Sequence, residues 1–197
     1  KRTSVRSLGH AKLGLISLSS FLYGHDSVDD LEEFDGDDYL ENFYRGGMPA
    51  SRTMGDFLRD FKAKNLHGLN DYLPFMAHSI RKQFVHKLPT QYRPGPLHLS
   101  IDSTPHVQHG TKIEGVSYNY DGKWCLDSQR ISDQMGLTYG FQLRPGNVGK
   151  AVGAQELVLN AFKGTKFREE KYLSGDSAYL CEAVIQACLS VGASFTI

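Results

Sequence analysis

The sequence predicts an α/β protein, a mixed sheet with flanking helices preceded by an all-helical N-terminal region. Three observations carry that expectation. Apolar residues recur at helical spacing from His10 to His86, and Pro89, Pro94 and Pro96 then break the pattern. Beyond the prolines the order is three or more strands, helix, strand, helix, strand, which describes a mixed sheet with helices on it. The expected division is a helical region over residues 1–95 and a sheet domain over 96–197.

In the first half, Leu13, Leu15, Ile16, Leu18, Phe21 and Leu22 form a wide apolar stripe from His10 to Tyr23, where Gly24 supplies a stop. Ser27-Val28-Asp29-Asp30 resembles a capping box, with Val28, Leu31 and Phe34 continuing the stripe. Asp37 or Asp38 caps a short helix carrying Tyr39, Leu40, Phe43 and Tyr44, which Gly46-Gly47 ends. Ser51 is the expected N-cap of a helix carrying Met54, Phe57, Leu58 and Phe61. A long helix over Asn65 to His86 carries Leu69, Tyr72, Leu73, Met76, Ile80 and Phe84, and Pro74 is expected to kink or interrupt it.

In the second half, Leu97 to Thr104 alternates cleanly, with Leu97, Leu99 and Ile101 on one face and His98, Ser100 and Asp102 on the other. Further strands are expected near Val116 to Tyr120, Trp124 to Ile131, Leu137 to Leu143, Tyr172 to Gly175 and from Phe195. Helices are expected over Gln155 to Phe162 and Leu180 to Leu189.

Composition narrows the class. Of 197 residues, 40% are hydrophobic and 22% charged, and no apolar run approaches the roughly 20 residues that span a bilayer, so no membrane segment is expected. Three cysteines, Cys125, Cys181 and Cys188, form no C-x-x-C pair, which argues against a disulfide framework or a structural zinc site and fits a reducing, cytoplasmic setting. The formal net charge of zero hides a segregation. Nine acidic residues and no Lys or Arg lie between Asp26 and Tyr44, so the remainder holds 22 basic against 22 − 9 = 13 acidic residues, a net +9. That balance permits a polyanionic partner, while the acidic run also reads as a solvated helix face.

Two acidic residues end strand-like segments and are followed by small residues, Asp102 in Leu97-His98-Leu99-Ser100-Ile101-Asp102-Ser103-Thr104 and Asp176 in Tyr172-Leu173-Ser174-Gly175-Asp176-Ser177. They are 176 − 102 = 74 positions apart, so only pairing of neighbouring strands could join them. Alone, each also reads as a turn cap. The basic residues Arg81, Lys82, Lys87 and Arg93 form a candidate phosphate-contacting edge, and Arg144 either reaches a phosphate or ends a strand. His98, His106 and His109 offer an alternative metal set without a fixed geometry, and Gly110 beside His109 suits a positive φ. Trp124 is a core residue or a base-stacking platform.

Asp102-Ser103-Thr104, His109-Gly110, Tyr118-Asn119, Leu143-Arg144-Pro145-Gly146-Asn147 and Gly175-Asp176-Ser177, in that order and spacing, resemble the catalytic domain of insertion-sequence transposases of the DDE superfamily. Asp29-Asp30-Leu31, Pro49-Ala50-Ser51-Arg52-Thr53 and Phe57-Leu58 are similar to the helical region before that domain in one bacterial group. The resemblance implies a ribonuclease H-like fold, with the first Asp on the first strand and the second on the fourth. It implies Mg²⁺ or Mn²⁺ on Asp102 and Asp176, cleavage and strand transfer of DNA, and double-stranded DNA partners in the form of transposon ends and target. A homo-oligomer in the DNA complex and a bacterial, nucleoid-associated location follow from the same likeness. Such enzymes complete the site with a Glu on a later helix. Glu182 lies in the wrong element for it, so the chain is expected to be a fragment ending before that residue, with residues 96–197 a partial catalytic domain.

The chemistry suits these residues. In-line phosphoryl transfer develops charge on attacking and leaving oxygens, which two divalent ions roughly 3.5–4 Å apart can stabilise. Mg²⁺ prefers hard oxygen ligands and keeps waters, so carboxylates at adjacent strand ends suit it. Two other functions fit the same residues, a DNA-binding or assembly protein derived from such an enzyme without its catalysis, and a nuclease that cuts without joining.

Overall fold

The computed structural model describes residues 8–45, 47–93, 95–110, 112–166 and 168–196. The chain divides into two compact units, Lys1–Leu66 and His67–Ile197.

In the first unit, α1 (His10–Leu22) is followed by a 3₁₀ turn over Asp29–Phe34, then α2 (Asp38–Phe43) and α3 (Ser51–Arg59). Leu13, Ile16, Leu31, Phe34, Leu40, Met54 and Phe57 bury together, the residues that helical spacing selects. The box at Ser27 forms, with Asp30 Oδ2 accepting from the Ser27 amide at 2.9 Å and Ser27 Oγ accepting from the Asp29 amide at 3.2 Å, but it starts a 3₁₀ turn rather than an α-helix. Asp37 caps α2 through Leu40 N–H at 2.9 Å, as predicted. At α3 the cap is Ala50, with no side-chain bond, and Ser51 is already helical. The acidic run lies mostly exposed, as a solvated face would.

The second unit is built on a six-stranded sheet. Its elements are α4 (Ala63–Val85, which begins before the division), β1 (Leu97–Val107), β2 (Ser117–Tyr118), β3 (Trp124–Asp133), β4 (Thr138–Pro145), α5 (Ala154–Ala161), β5 (Lys171–Ser174), α6 (Glu182–Val191) and β6 (Ser194–Thr196). β1 runs antiparallel to β3 and parallel to β5, which runs parallel to β6. The far side of β3 is taken by β2 at its first two residues and by β4 along the rest. Leaving aside the two-residue β2, the order is third, second, first, fourth, fifth, an antiparallel meander followed by two parallel crossovers. This is the ribonuclease H-like arrangement.

Leu99, Ile101, Ile131 and Leu173 share one sheet face and bury against Leu157, Val158 and Ala161 of α5 and Val184, Ala187 and Cys188 of α6. Each large aliphatic side chain buried there contributes about 1.5–3 kcal/mol. Burial pushes the Cys188 thiol up to about 11, so it is a packed side chain and not a nucleophile. β1 runs three residues past its expected end, through Pro105. Pro105 is tolerated because β5 pairs only with Leu97 to Ser100, leaving the strand unpaired on that side where the ring removes a donor.

Pro74 does not interrupt α4. Proline removes the N–H that would bond the carbonyl four residues back, here Asn70, and Asn160 Nδ2 donates to that carbonyl instead at 2.8 Å. The same stretch bonds the sheet at both polar ends of the Asn70 amide, to Phe141 O at 2.5 Å and from Phe141 N at 3.0 Å. Lys163 pairs with Asp71 at 2.7 Å, and Arg81 with Asp133 at 3.1 Å. These bonds explain why the compact units divide at Leu66/His67 and not at the 95/96 linker that the prolines suggest.

Candidate active site

Parallel pairing of β1 with β5 matches Ser100 to Ser174, an offset of 174 − 100 = 74, and their hydroxyls meet at 2.9 Å. Asp102 and Asp176 share that offset, each two residues further along; Asp102 is still within β1 and by the period of two falls on the side of Ser100, while Asp176 lies past β5 at the start of a 3₁₀ turn. The 74-residue interval in the sequence is therefore the strand register itself. Gly175 lets the chain leaving β5 pass close to β1, because a Cβ there would stand 2.9 Å from Ile101 Cγ2 and 3.2 Å from Tyr179 Cδ2.

Both carboxylates are exposed, and each is anchored by one oxygen. Asp102 Oδ1 accepts from the Ser103 amide at 2.7 Å, and Asp176 Oδ1 accepts from the Ala178 amide at 2.9 Å, capping a short 3₁₀ turn over Ser177–Tyr179. The turn-cap reading of Asp176 thus holds for one oxygen. Its other oxygen receives Lys150 Nζ at 2.6 Å. That bond holds the Asp176 carboxyl below its usual range and raises the Lys150 ammonium above its own, with Tyr120 and Asp102 adding to the latter. Across β3, Arg130 is the register partner of Asp102 and is exposed.

Beneath the site Asp127 and Gln129 of β3 are bonded from within, although Gln129 Oε1 and Arg144 Nη2 are buried without a partner among the described residues. Arg144, 5% exposed, donates Nε to Asp127 Oδ2 at 2.7 Å and Nη1 to the carbonyls of Val152 at 2.7 Å and Lys150 at 3.2 Å. Gln129 Nε2, fully buried, donates to the same Lys150 carbonyl at 2.6 Å and lies 3.4 Å from the Tyr179 hydroxyl. The Arg144-Pro145-Gly146-Asn147 motif is therefore an anchor for the loop that carries Lys150. Asn147 completes it, its amide donating to Ser117 Oγ at 3.0 Å. Gly146 is required by close approach, since a Cβ would lie 2.4 Å from Cys125 O and 2.7 Å from Ser117 O, both backbone atoms. Gly146→Ala is expected to destabilise the unit by about 1–3 kcal/mol, read as a lower urea midpoint at unchanged slope. A midpoint equal to the wild type's would show that β2 can move aside.

The basic residues singled out in the sequence separate into two groups. Arg144 is a correction, because its guanidinium is buried on Asp127 and two carbonyls and is not presented to a phosphate. Arg81 is a second, because its side chain is 13% exposed and bound to Asp133, Gln134 and the Gly95 carbonyl. Arg93 donates to the His86 and Leu88 carbonyls beyond the end of α4, while staying exposed. Lys82 and Lys87 are exposed, Lys87 lying 5.3 Å from the Phe84 ring centre. Lys150, Gln129 and Asp127 were not singled out. The motif spacing that drew attention to Arg144 was the only available pointer to them.

The alternative histidine set does not assemble. His106 Nε2 meets Ser128 Oγ at 2.7 Å, and among the described residues no group of three or more His, Cys, Asp or Glu could hold a metal. Gly110 does not adopt the expected positive φ, and its carbonyl accepts Trp124 Nε1–H at 3.1 Å. Trp124 is half-buried against Tyr118 at the start of β3. Two exposed carboxylates do suit Mg²⁺ or Mn²⁺, since such hard ions take one or two carboxylates and complete their shell with water.

Sheet order defines a ribonuclease H-like α/β protein, with Asp102 of β1 and Asp176 just past β5 as its candidate carboxylate pair. No protein-family model and no curated protein matches the chain. Among solved structures it is similar to the catalytic domain of Mos1 mariner transposase, at 12% identity over 69% of this chain and 61% of that one, with a TM-score of 0.37. It is also similar to the Mos1 transposase paired-end complex with left transposon end (10% identity, 95% and 58% covered, TM-score 0.35) and to the Mos1 mariner paired end complex with Mn (11%, 86% and 58%, TM-score 0.36). The chain spans about three fifths of the length of these proteins.

Proposed function

We propose that Asp102 and Asp176 are two acidic ligands of a metal-dependent phosphoryl-transfer site acting on double-stranded DNA, of the kind with which a DDE transposase cuts transposon ends and joins them to a target. The observation that supports this reading is the parallel pairing of β1 with β5 up to Ser100 and Ser174, from each of which the chain runs two residues on to a carboxylate. Asp102 lies within β1 and Asp176 just past β5, with Lys150 on Asp176 and also feeling Asp102. Asp102 and Asp176 would hold Mg²⁺ or Mn²⁺, which when bound stabilises charge on the phosphoryl oxygens and makes water a stronger nucleophile.

The chain's own residues supply the rest. The Ser103 and Ala178 amides orient one oxygen of each carboxylate, while the other oxygen of Asp176 is held by Lys150 Nζ. Exposed Arg130, Lys82 and Lys87 suit the sequence-independent contacts to phosphates that fix a protein on DNA.

Calorimetric titration of the chain with Mn²⁺, with Asp102→Asn as control, tests the reading. Binding that the variant loses is expected. Binding unchanged in Asp102→Asn would remove that residue from the site, and no binding by the wild-type chain at millimolar Mn²⁺ would end the metal reading.

A further inference from the structure

Lys150 is the cation that the folded chain itself places on the carboxylate pair. Its ammonium lies 2.6 Å from Asp176 Oδ2 and also feels the charge of Asp102. Its backbone is held from beneath, because the carbonyl is gripped by buried Gln129 and by Arg144, itself locked on Asp127. The side chain is not so held. Its exposure is 31% and that of Asp176 is 44%, so water reaches the pair from both sides. Beside it opens a cleft of about 300 Å³ lined by Ser103, Asn119, Tyr120, Asn147 and Lys150, with room for four methylenes and an ammonium to swing without repacking the core.

These features separate two roles for a lysine on a carboxylate. A structural ion pair is buried and costly to break, whereas an exposed pair is weak and yields to a stronger competitor. A divalent ion meeting two carboxylates offers twice the charge of an ammonium that reaches one of them closely, and only one of these cations can take Asp176 Oδ2.

We propose that Lys150 is a resident counter-ion of the Asp102/Asp176 pair which a divalent metal must displace, so that this lysine sets how tightly the site takes its metal. The inference rests on the metal reading above and adds to it a competitor built into the chain. Its anchored backbone and free side chain make displacement a local rotation, with the loop left in place. The sign of its effect is opposite to that of a supporting residue. Removing a support weakens metal binding, and removing a competitor tightens it.

The test is Mn²⁺ titration of the 197-residue chain by calorimetry for wild type, Lys150→Met, Lys150→Arg and Asp102→Asn, with melting followed by circular dichroism. Lys150→Met is expected to bind Mn²⁺ about three- to fivefold more tightly, the span that an exposed ion pair allows. Lys150→Arg, which keeps the charge, is expected to bind like the wild type, and all variants should melt within a few degrees of it. Equal or weaker binding by Lys150→Met, with binding still lost in Asp102→Asn, would overturn this inference and leave the metal site standing. Tighter binding in Lys150→Arg as well as Lys150→Met would also overturn it, since charge would then not be the cause. No Mn²⁺ binding by any form would overturn the metal reading itself.

Discussion

Asp102→Asn and Asp176→Asn are each expected to abolish the proposed metal-dependent DNA strand cleavage, by more than about a thousandfold, while leaving the fold in place. The size follows from the chemistry proposed. Each substitution removes a negative oxygen ligand from a centre whose contribution is transition-state charge stabilisation worth several kcal/mol, and each 1.36 kcal/mol is tenfold in rate. Folding is spared because an amide has nearly the volume of a carboxylate, and an Asn at 176 can still accept the Ala178 amide. The ion pair lost with Asp176 is largely exposed, so stability changes by less than about 1 kcal/mol. Cleavage of a labelled duplex with Mn²⁺, beside a circular-dichroism melt, reads both quantities. Either variant that still cuts takes its aspartate out of the mechanism.

Arg144→Met is expected to lower the stability of the sheet unit by about 3–5 kcal/mol, the range for removing one partner of a buried ion pair. Asp127 would be left 11% exposed without its cation, and the carbonyls of Lys150 and Val152 would lose a donor. For a chain of this length the fall in melting temperature is roughly 10 °C, measured by scanning calorimetry. Lys87→Met, on an exposed side chain, shifts stability by no more than about 0.5 kcal/mol and serves as the contrast. An Arg144→Met loss below about 1 kcal/mol would contradict the anchoring role and return Arg144 to the list of DNA contacts.

The strand carrying Asp102 was legible because alternation of Leu97, Leu99 and Ile101 is a local property with a period of two, and both helices packed on the sheet were legible from their 3.6-residue spacing. Asp176 was legible as a strand end for the same reason. That the two would meet was not, since the 74-residue interval carries meaning only once Ser100 is known to pair with Ser174. The Arg-Pro-Gly-Asn motif was visible as a pattern, yet its work, holding the loop of Lys150 from inside, depends on Asp127 and Gln129 arriving from another strand.

The sequence by itself determined most of the helices and strands and which face of each is apolar. Those are consequences of side-chain periodicity and of turn chemistry within a few residues. The sequence placed Asp102 and Asp176 at strand ends, whereas β1 continues past Asp102 to Val107, and Asp176 lies beyond β5, where it caps a turn. Tertiary structure alone decided which charges are spent and which are free. Arg144 finds Asp127 across 17 positions, Lys150 finds Asp176 across 26, Arg81 finds Asp133 across 52, and the carbonyl freed by Pro74 finds Asn160 across 90. A cation's local sequence is the same whether its partner is a phosphate or a buried carboxylate. The difference is made by strand register and by the desolvation that forces each buried polar group to find a partner.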